Sequence, residues 1–233
     1  SFMSPASATW AGITRTATGS APKLGSRKPA PEHATTPGSG EIASETFMVP
    51  GLDPGIQVHV RNKRLVGNDR FAPERIVLFV HGATFPSETA FDLDLPGGAW
   101  MDFAAKRGFD TYLVDIRGYG RSTRPAAMEQ PPAANPPFGD ARDAVRDVSA
   151  AVDFILKRRG VERIDLVGWS MGTTFMAGYA AANPGKVEKL VLYAPVWHEP
   201  SLRAPPYQGA YRLSTREGVR PFATAGVPKD RIE

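Results

Sequence analysis

A serine bracketed by glycines stands at Gly168-Trp169-Ser170-Met171-Gly172, between the apolar run Ile164 to Val167 and a stretch with helical patterning from Met171 to about Ala182. A serine hydroxyl is a weak nucleophile until the backbone presents it and a neighbouring base takes its proton. A strand, a tight turn and a helix supply the presentation. The turn holds the serine in strained geometry with its hydroxyl clear of the sheet, and the helix N-terminus points at it. Gly168 and Gly172 fall where strand and helix pass closest, so a Cβ at either would force them apart. A glycine-bracketed serine in an ordinary loop is the alternative. The strand before and the helix pattern after favour the strained turn.

The flanking chain must position that serine. Arg75 to Val80 is a continuous apolar run without alternation, as expected of a strand covered on both faces of a parallel sheet, and it ends in His81-Gly82-Ala83-Thr84. Trp100 to Arg107 carries helical spacing that Gly108 stops, and Thr111 to Val114 is the next strand. Five prolines between 124 and 139 make that segment a loop. Asp140 is an N-cap with Asp143 at the third helical position. An apolar stripe from Ala141 through Val148 and Val152 to Ile155 follows, and Lys157-Arg158-Arg159 sits before Gly160. Leu190 to Tyr193 is the last clear strand. Upstream, Thr46 to Val49 and Ile56 to Val60 flank a Pro/Gly turn and read as an antiparallel pair, with His59 facing outward in a structural role. Strands alternating with helices predict an α/β fold, a doubly wound and mostly parallel sheet with its chemistry at the strand C-termini. The expected organisation is an extended arm over 1–43 that Trp10 and Ile13 dock or that stays a tail, a core over 44–196, and the start of a cap or lid over 197–233.

Composition narrows the function classes. The 233 residues carry a formal charge of +4. Four basic residues against Glu32 alone lie in the first forty positions, leaving 24 basic against 23 acidic in the rest. No Lys/Arg stripe interleaved with aromatics forms, which argues against a nucleic-acid partner. There are no cysteines, so disulfides, thiolate metal sites and a cysteine nucleophile are excluded. No apolar run is long enough to span a membrane. No metal-ligand cluster and no dinucleotide glycine pattern is present, so neither a metal nor an organic cofactor is expected. A soluble protein, cytoplasmic or exported, is expected.

Four stretches together resemble the α/β-hydrolase fold superfamily: His81-Gly82, Asp115-x-Arg117-Gly118-x-Gly120-x-Ser122, Gly168-Trp169-Ser170-Met171-Gly172 and Leu190 to Pro195. They fall at the ends of successive strands in the family's order, over roughly residues 45 to 200. The resemblance implies acyl transfer. Ser170 is then the nucleophile, the Met171 N–H one oxyanion donor, and the N–H of Ala83, or less favourably Thr84, the second. His81 resembles the family's turn histidine, which braces the loop, and Asp115 and Arg117 read as a structural turn. Serine at this turn, where haloalkane dehalogenases and epoxide hydrolases place aspartate, points to cleavage of an ester, thioester, lactone, amide or carbon–carbon acyl bond. A small-molecule acyl substrate would lie in a cleft lined by Thr84, Phe85, Trp169 and Trp197, with Trp100 and Tyr119 as further candidates.

The same resemblance requires two more strands, bearing an acid and a histidine, and none follows Tyr193. His198 and Glu199 read as hinge residues of the cap rather than as those partners. The chain is therefore expected to be a cleavage product completed by a second polypeptide or C-terminal fragment, a truncated chain, or a short protein that binds without catalysis.

Overall fold

The computed structural model describes residues 40–196 and 209–231. Trp10, Ile13, Trp197, His198 and Glu199 lie outside the described residues. Six strands form one sheet: β1 (Ile42–Pro50), β2 (Gln57–Leu65), β3 (Ile76–Val80), β4 (Asp110–Val114), β5 (Ile164–Trp169) and β6 (Val187–Tyr193). Their order is β1-β2-β4-β3-β5-β6. β1, β2 and β4 pair antiparallel, while β4, β3, β5 and β6 run parallel. The strand C-termini of β3, β4 and β5 thus meet at one edge of the sheet, the edge that carries His81, Asp115 and Ser170.

The helices between them are α1 (Ser87–Phe91), α2 (Trp100–Ala105), α3 (Ala141–Arg159) and α4 (Gly172–Ala182), and α5 (Arg216–Ala223) follows β6. α3 starts where the sequence predicts. The Asp140 carboxylate accepts from the backbone N–H groups of Arg142 and Asp143, and Asp143 accepts from the Asp140 N–H, a reciprocal cap that satisfies free helix donors. Gly160 ends it with a φ of 65°, a left-handed conformation that costs glycine nothing. The loop between β4 and α3 is not wholly irregular. Pro125 and Pro131 precede two short 3₁₀ turns, Ala126–Glu129 and Pro132–Ala134, because a fixed proline φ suits a turn start while the missing N–H forbids longer helix.

Every residue of β3 is buried, and the strand feeds two cores because alternate side chains point to opposite faces. Ile76, Leu78 and Val80 pack with Val148, Val152 and Ile155 of α3 and Phe175 and Met176 of α4. Val77 and Phe79 face the other side with Phe91, Met101, Leu113 and Val167. That second face is covered only by the short α1 and α2. Beside them lies an apolar groove of about 580 Å³ lined by residues including Phe79, Trp100, Phe103, Val167 and Val191. β6 closes the sheet order at its outer edge, with Leu190, Val191, Leu192 and Tyr193 all exposed.

The β1–β2 pair is antiparallel as predicted but longer, and it corrects the reading of His59. β2 pairs with β1 on one edge and β4 on the other, which places it inside the sheet, and Val58, His59 and Val60 are all buried. His59 is fully buried, with Nδ1 at 3.0 Å from the Asp115 carboxylate. Alternation along the strand does not reveal this, because a buried polar side chain and an exposed one look alike in sequence.

Candidate functional site

β5 ends at Trp169 and α4 begins at Gly172, which leaves only Ser170 and Met171 to make the turn between them. Ser170 has a φ of 52°, left-handed backbone that costs a residue with a Cβ roughly 1–2 kcal/mol. The surroundings over-determine it. The Ser170 N–H donates to the Tyr193 carbonyl at 2.9 Å, and the Ser170 carbonyl accepts from the Thr173 N–H and hydroxyl at 2.9 and 2.6 Å. The two glycines are demanded by contact. A Cβ on Gly168 would lie 2.6 Å from the Gly172 carbonyl oxygen, and one on Gly172 would lie 2.5 Å from the His81 oxygen and 2.8 Å from that of Val80. β3, β5 and α4 pass too closely there for any side chain.

The Ser170 side chain is half-buried, and its hydroxyl has no hydrogen-bond partner among the described residues. The loop after β3 runs alongside it. Gly82 is close enough that an added Cβ would sit 3.0 Å from the Ser170 Cβ. The N–H groups of Ala83, Thr84 and Met171 also make no hydrogen bond among the described residues. Ala83, Thr84 and Met171 line a cavity of about 320 Å³ whose walls include Ile116, Tyr119, Met128, Phe138 and Phe175. Residues 210–214 return over this cavity, tied to the proline-rich loop by the Ala210 N–H to the Pro132 carbonyl at 2.8 Å.

The other cleft candidates lie elsewhere. Trp169 packs beside the second core with Val77, Phe79 and Phe91, and Phe85 is exposed just past the loop. Trp100 stands in the groove on the opposite face, edge-on to Phe79 and 5.5 Å from the Tyr193 ring. Trp197 falls outside the described residues.

Both described histidines are committed away from Ser170. His81 is fully buried; its Nδ1 lies 2.7 Å from the Gly82 carbonyl, and its Nε2 accepts from the Ile116 N–H at 3.2 Å. A carbonyl needs a donor and an N–H an acceptor, so the ring is the neutral Nδ1-protonated tautomer. Burial depresses its pKa, opposed by the Gly82 hydrogen bond and the Asp115 charge. His81 is thus a brace. Asp115 accepts from His59, from the Ser87 N–H at 2.8 Å and from the Arg121 N–H at 3.3 Å. Burial pushes its carboxyl upward, but the His59 bond, the His81 ring and these N–H groups outweigh it and hold the pKa below the usual range. Arg117 grips the buried Asp147 through Nε and Nη2, and Nη2 also reaches Asp53 at 2.6 Å. Those bonds, Asp147 first, raise its pKa despite burial. Asp115 and Arg117 therefore tie the turn after β4 to β2 and α3, with no group turned to the serine. Among the described residues no cluster of three His, Asp or Glu side chains could hold a metal, and no helix is long and apolar enough to cross a membrane.

A doubly wound sheet with a serine on a strained strand-to-helix turn defines the class. The chain belongs to the alpha/beta hydrolase fold family, whose model matches residues 75–224, more than half of it. Among curated relatives it is 28% identical to the gastric triacylglycerol lipase of Mus musculus over 126 residues, covering 53% of this chain and 32% of that protein. It is likewise 28% identical to the Homo sapiens lipase member K over 124 residues, 53% and 31% of the two chains. The chain spans about a third of the length of these relatives. Among solved structures, a CIB-like hydrolase from Thermoplasma acidophilum aligns over 70% of this chain and 67% of its own, with 24% identity and a TM-score of 0.48.

Proposed function

We propose that this chain carries the nucleophile and oxyanion-binding part of a serine hydrolase that cleaves a carboxylic ester or related acyl bond. One observation carries the reading: Ser170 stands at a φ of 52° against the loop after β3, and among the described residues neither its hydroxyl nor the N–H groups of Met171 and Ala83 have a hydrogen-bond partner. Strain of this kind persists only where the surroundings impose it. In the proposed reaction the Ser170 Oγ attacks the carbonyl carbon and its proton passes to a histidine base. The oxygen gains the negative charge and is held by the Met171 and Ala83 N–H groups. Collapse expels the alcohol, reprotonated by the same base, and water then releases the acid from Ser170. Loss of one oxyanion donor costs on the order of a hundredfold, about 3 kcal/mol.

We assign the base and its acid to residues outside this sequence; both histidines among the described residues, His59 and His81, are bonded elsewhere. The mouse relative is named for triacylglycerol, itself an ester, and the cavity walls of Ile116, Met128, Phe138 and Phe175 suit an apolar acyl or alcohol part. Residues 210–214, which line that cavity, belong to the segment we assign as the start of a cap, 197–233. The second reading is a hydrolase-like module that binds a small ligand without catalysis, and the absence of an available histidine among the described residues favours it.

Reaction with a fluorophosphonate, followed by peptide mass spectrometry, separates the two. Adduct on Ser170 that is lost in Ser170→Ala supports the hydrolase. No adduct on the chain, alone or with any copurifying fragment, leaves the binding module.

A further inference from the structure

The Asp115-to-Ser122 turn lies one strand away from the serine, and its side chains mostly tie it to β2, α1 and α3: Asp115 to His59 and Ser87, Arg117 to Asp147, and Ser122 to His59. Tyr119 is the exception. Its hydroxyl donates to the Ala83 carbonyl, and its ring lies against His81 with centroids 4.4 Å apart. His81 holds the carbonyl one residue earlier, that of Gly82. A trans peptide directs its N–H opposite its C=O, and the chain has no cis bond among the described residues. Tying the Gly82 carbonyl therefore orients the Ala83 N–H, and tying the Ala83 carbonyl fixes the peptide plane on that residue's other side. Ala83 sits between two clamped peptides, its own N–H oriented through His81 and that of Thr84 through Tyr119.

The clamp is anchored on rigid chain. The Tyr119 N–H donates to the Ile116 carbonyl at 3.0 Å, and the Ser122 N–H donates to the Tyr119 carbonyl at 3.0 Å. Gly118 and Gly120 adopt φ values of 82° and 50°. A Cβ on Gly120 would meet the Asp115 carboxylate at 2.1 Å, so the turn is drawn tightly around that buried charge. Burial raises the Tyr119 pKa, which keeps the hydroxyl protonated and donating.

We propose that Tyr119 is a positioning residue for the acyl-transfer reaction: by holding the Ala83 carbonyl it fixes the Ala83–Thr84 peptide and, with His81 holding the peptide before it, preorganises the Ala83 and Thr84 N–H groups as oxyanion donors. This gives the turn after β4 a part in the chemistry although none of its atoms reaches the serine. The inference rests on the acyl-transfer reading above, and the test distinguishes failure of one from failure of the other.

Tyr119→Phe removes only the hydroxyl and keeps the ring on His81. The fluorophosphonate reaction of Ser170 in parent and variant gives a limiting rate and a half-saturation concentration. The limiting rate falls about tenfold, a part of the loss expected for removing the donor outright, with half-saturation unchanged within about twofold. Backbone 15N order parameters at Ala83 and Thr84 drop from about 0.85 toward 0.6, while the melting temperature holds. An unchanged limiting rate, or a change confined to half-saturation, overturns the positioning role. Unchanged order parameters overturn the clamp itself. If the parent does not react at all, the hydrolase reading and the catalytic role of Tyr119 both fall, and the order parameters alone decide whether the clamp exists.

Discussion

Gly172→Ala is the most demanding test of the turn geometry. The added methyl would stand 2.5 Å from the His81 carbonyl oxygen, 2.8 Å from that of Val80 and 2.9 Å from the Val80 Cγ1. An ordinary carbon–oxygen contact is roughly 3.3 Å, so relief requires a shift of about 0.8 Å. β3 cannot supply it, because it is hydrogen-bonded to β4 on one side and β5 on the other. α4 cannot back away without losing the packing of Phe175 and Met176 on the sheet. Forced overpacking of this kind costs about 2–3 kcal/mol. At about 2–4 °C per kcal/mol for a chain of this size, the melting temperature falls by roughly 4–12 °C. Because the displaced carbonyl belongs to His81, fluorophosphonate labelling of Ser170 slows as well. Gly185→Ala is the internal control: nothing lies within 4 Å of its added Cβ, and its melting temperature stays level or rises slightly. Thermal unfolding followed by circular dichroism gives both values. A Gly172→Ala protein that melts within about 1 °C of the parent refutes the close approach of β3, β5 and α4.

Other perturbations follow from the same structure. Ser170→Gly relieves the left-handed strain and removes a hydroxyl with no partner among the described residues, so the protein gains about 1 kcal/mol in a denaturant melt while Ser170 labelling vanishes. Asp165 faces the groove beside β6, where burial pushes its carboxyl up to about 6, with Lys189 3.7 Å away. The folded form holds this proton more tightly than the unfolded chain, so the associated stability is present below about pH 4 and lost as pH rises through 6. Asp165→Asn removes that slope and stabilises the protein by about 1–3 kcal/mol at pH 8, read from urea midpoints across the pH range. Asp110 is buried and accepts from Arg159 at 2.6 and 2.9 Å and from Asn62 at 2.7 Å. Asp110→Ala strands the guanidinium and lowers stability by about 3–5 kcal/mol, measured by the same midpoints.

The sequence exposed what local rules control. β3 appears as an unbroken apolar run because both faces are covered, α3 announces both ends through Asp140 and Gly160, and Gly168 and Gly172 mark the close crossing around Ser170. Long-range pairing of polar groups left no local trace. His59 reads as a surface position because its partner, Asp115, lies 56 residues away. Trp100 reads as a cleft aromatic because nothing in its spacing tells which sheet face α2 covers. Tyr119 is visible as an aromatic near the site, yet its bond to the Ala83 carbonyl depends on how two loops meet in space. Asp115-x-Arg117-Gly118-x-Gly120 signalled a turn, and the two left-handed glycines were the available hint that the turn was built to hold something in place.

The hydrogen bond from the Ser170 N–H to the Tyr193 carbonyl joins the serine turn to the outermost strand of the sheet. A second bond, from the Val196 N–H to the Thr173 hydroxyl at 3.3 Å, ties the chain beyond β6 to the start of α4. Serine geometry and the state of that edge are thus linked quantities. Whatever free energy a partner pairing along β6 lends to the strained turn, a covalent adduct on Ser170 returns in equal measure to the partner's affinity. An adduct on the serine would then be read at the sheet edge as a change in the dissociation constant of anything bound there.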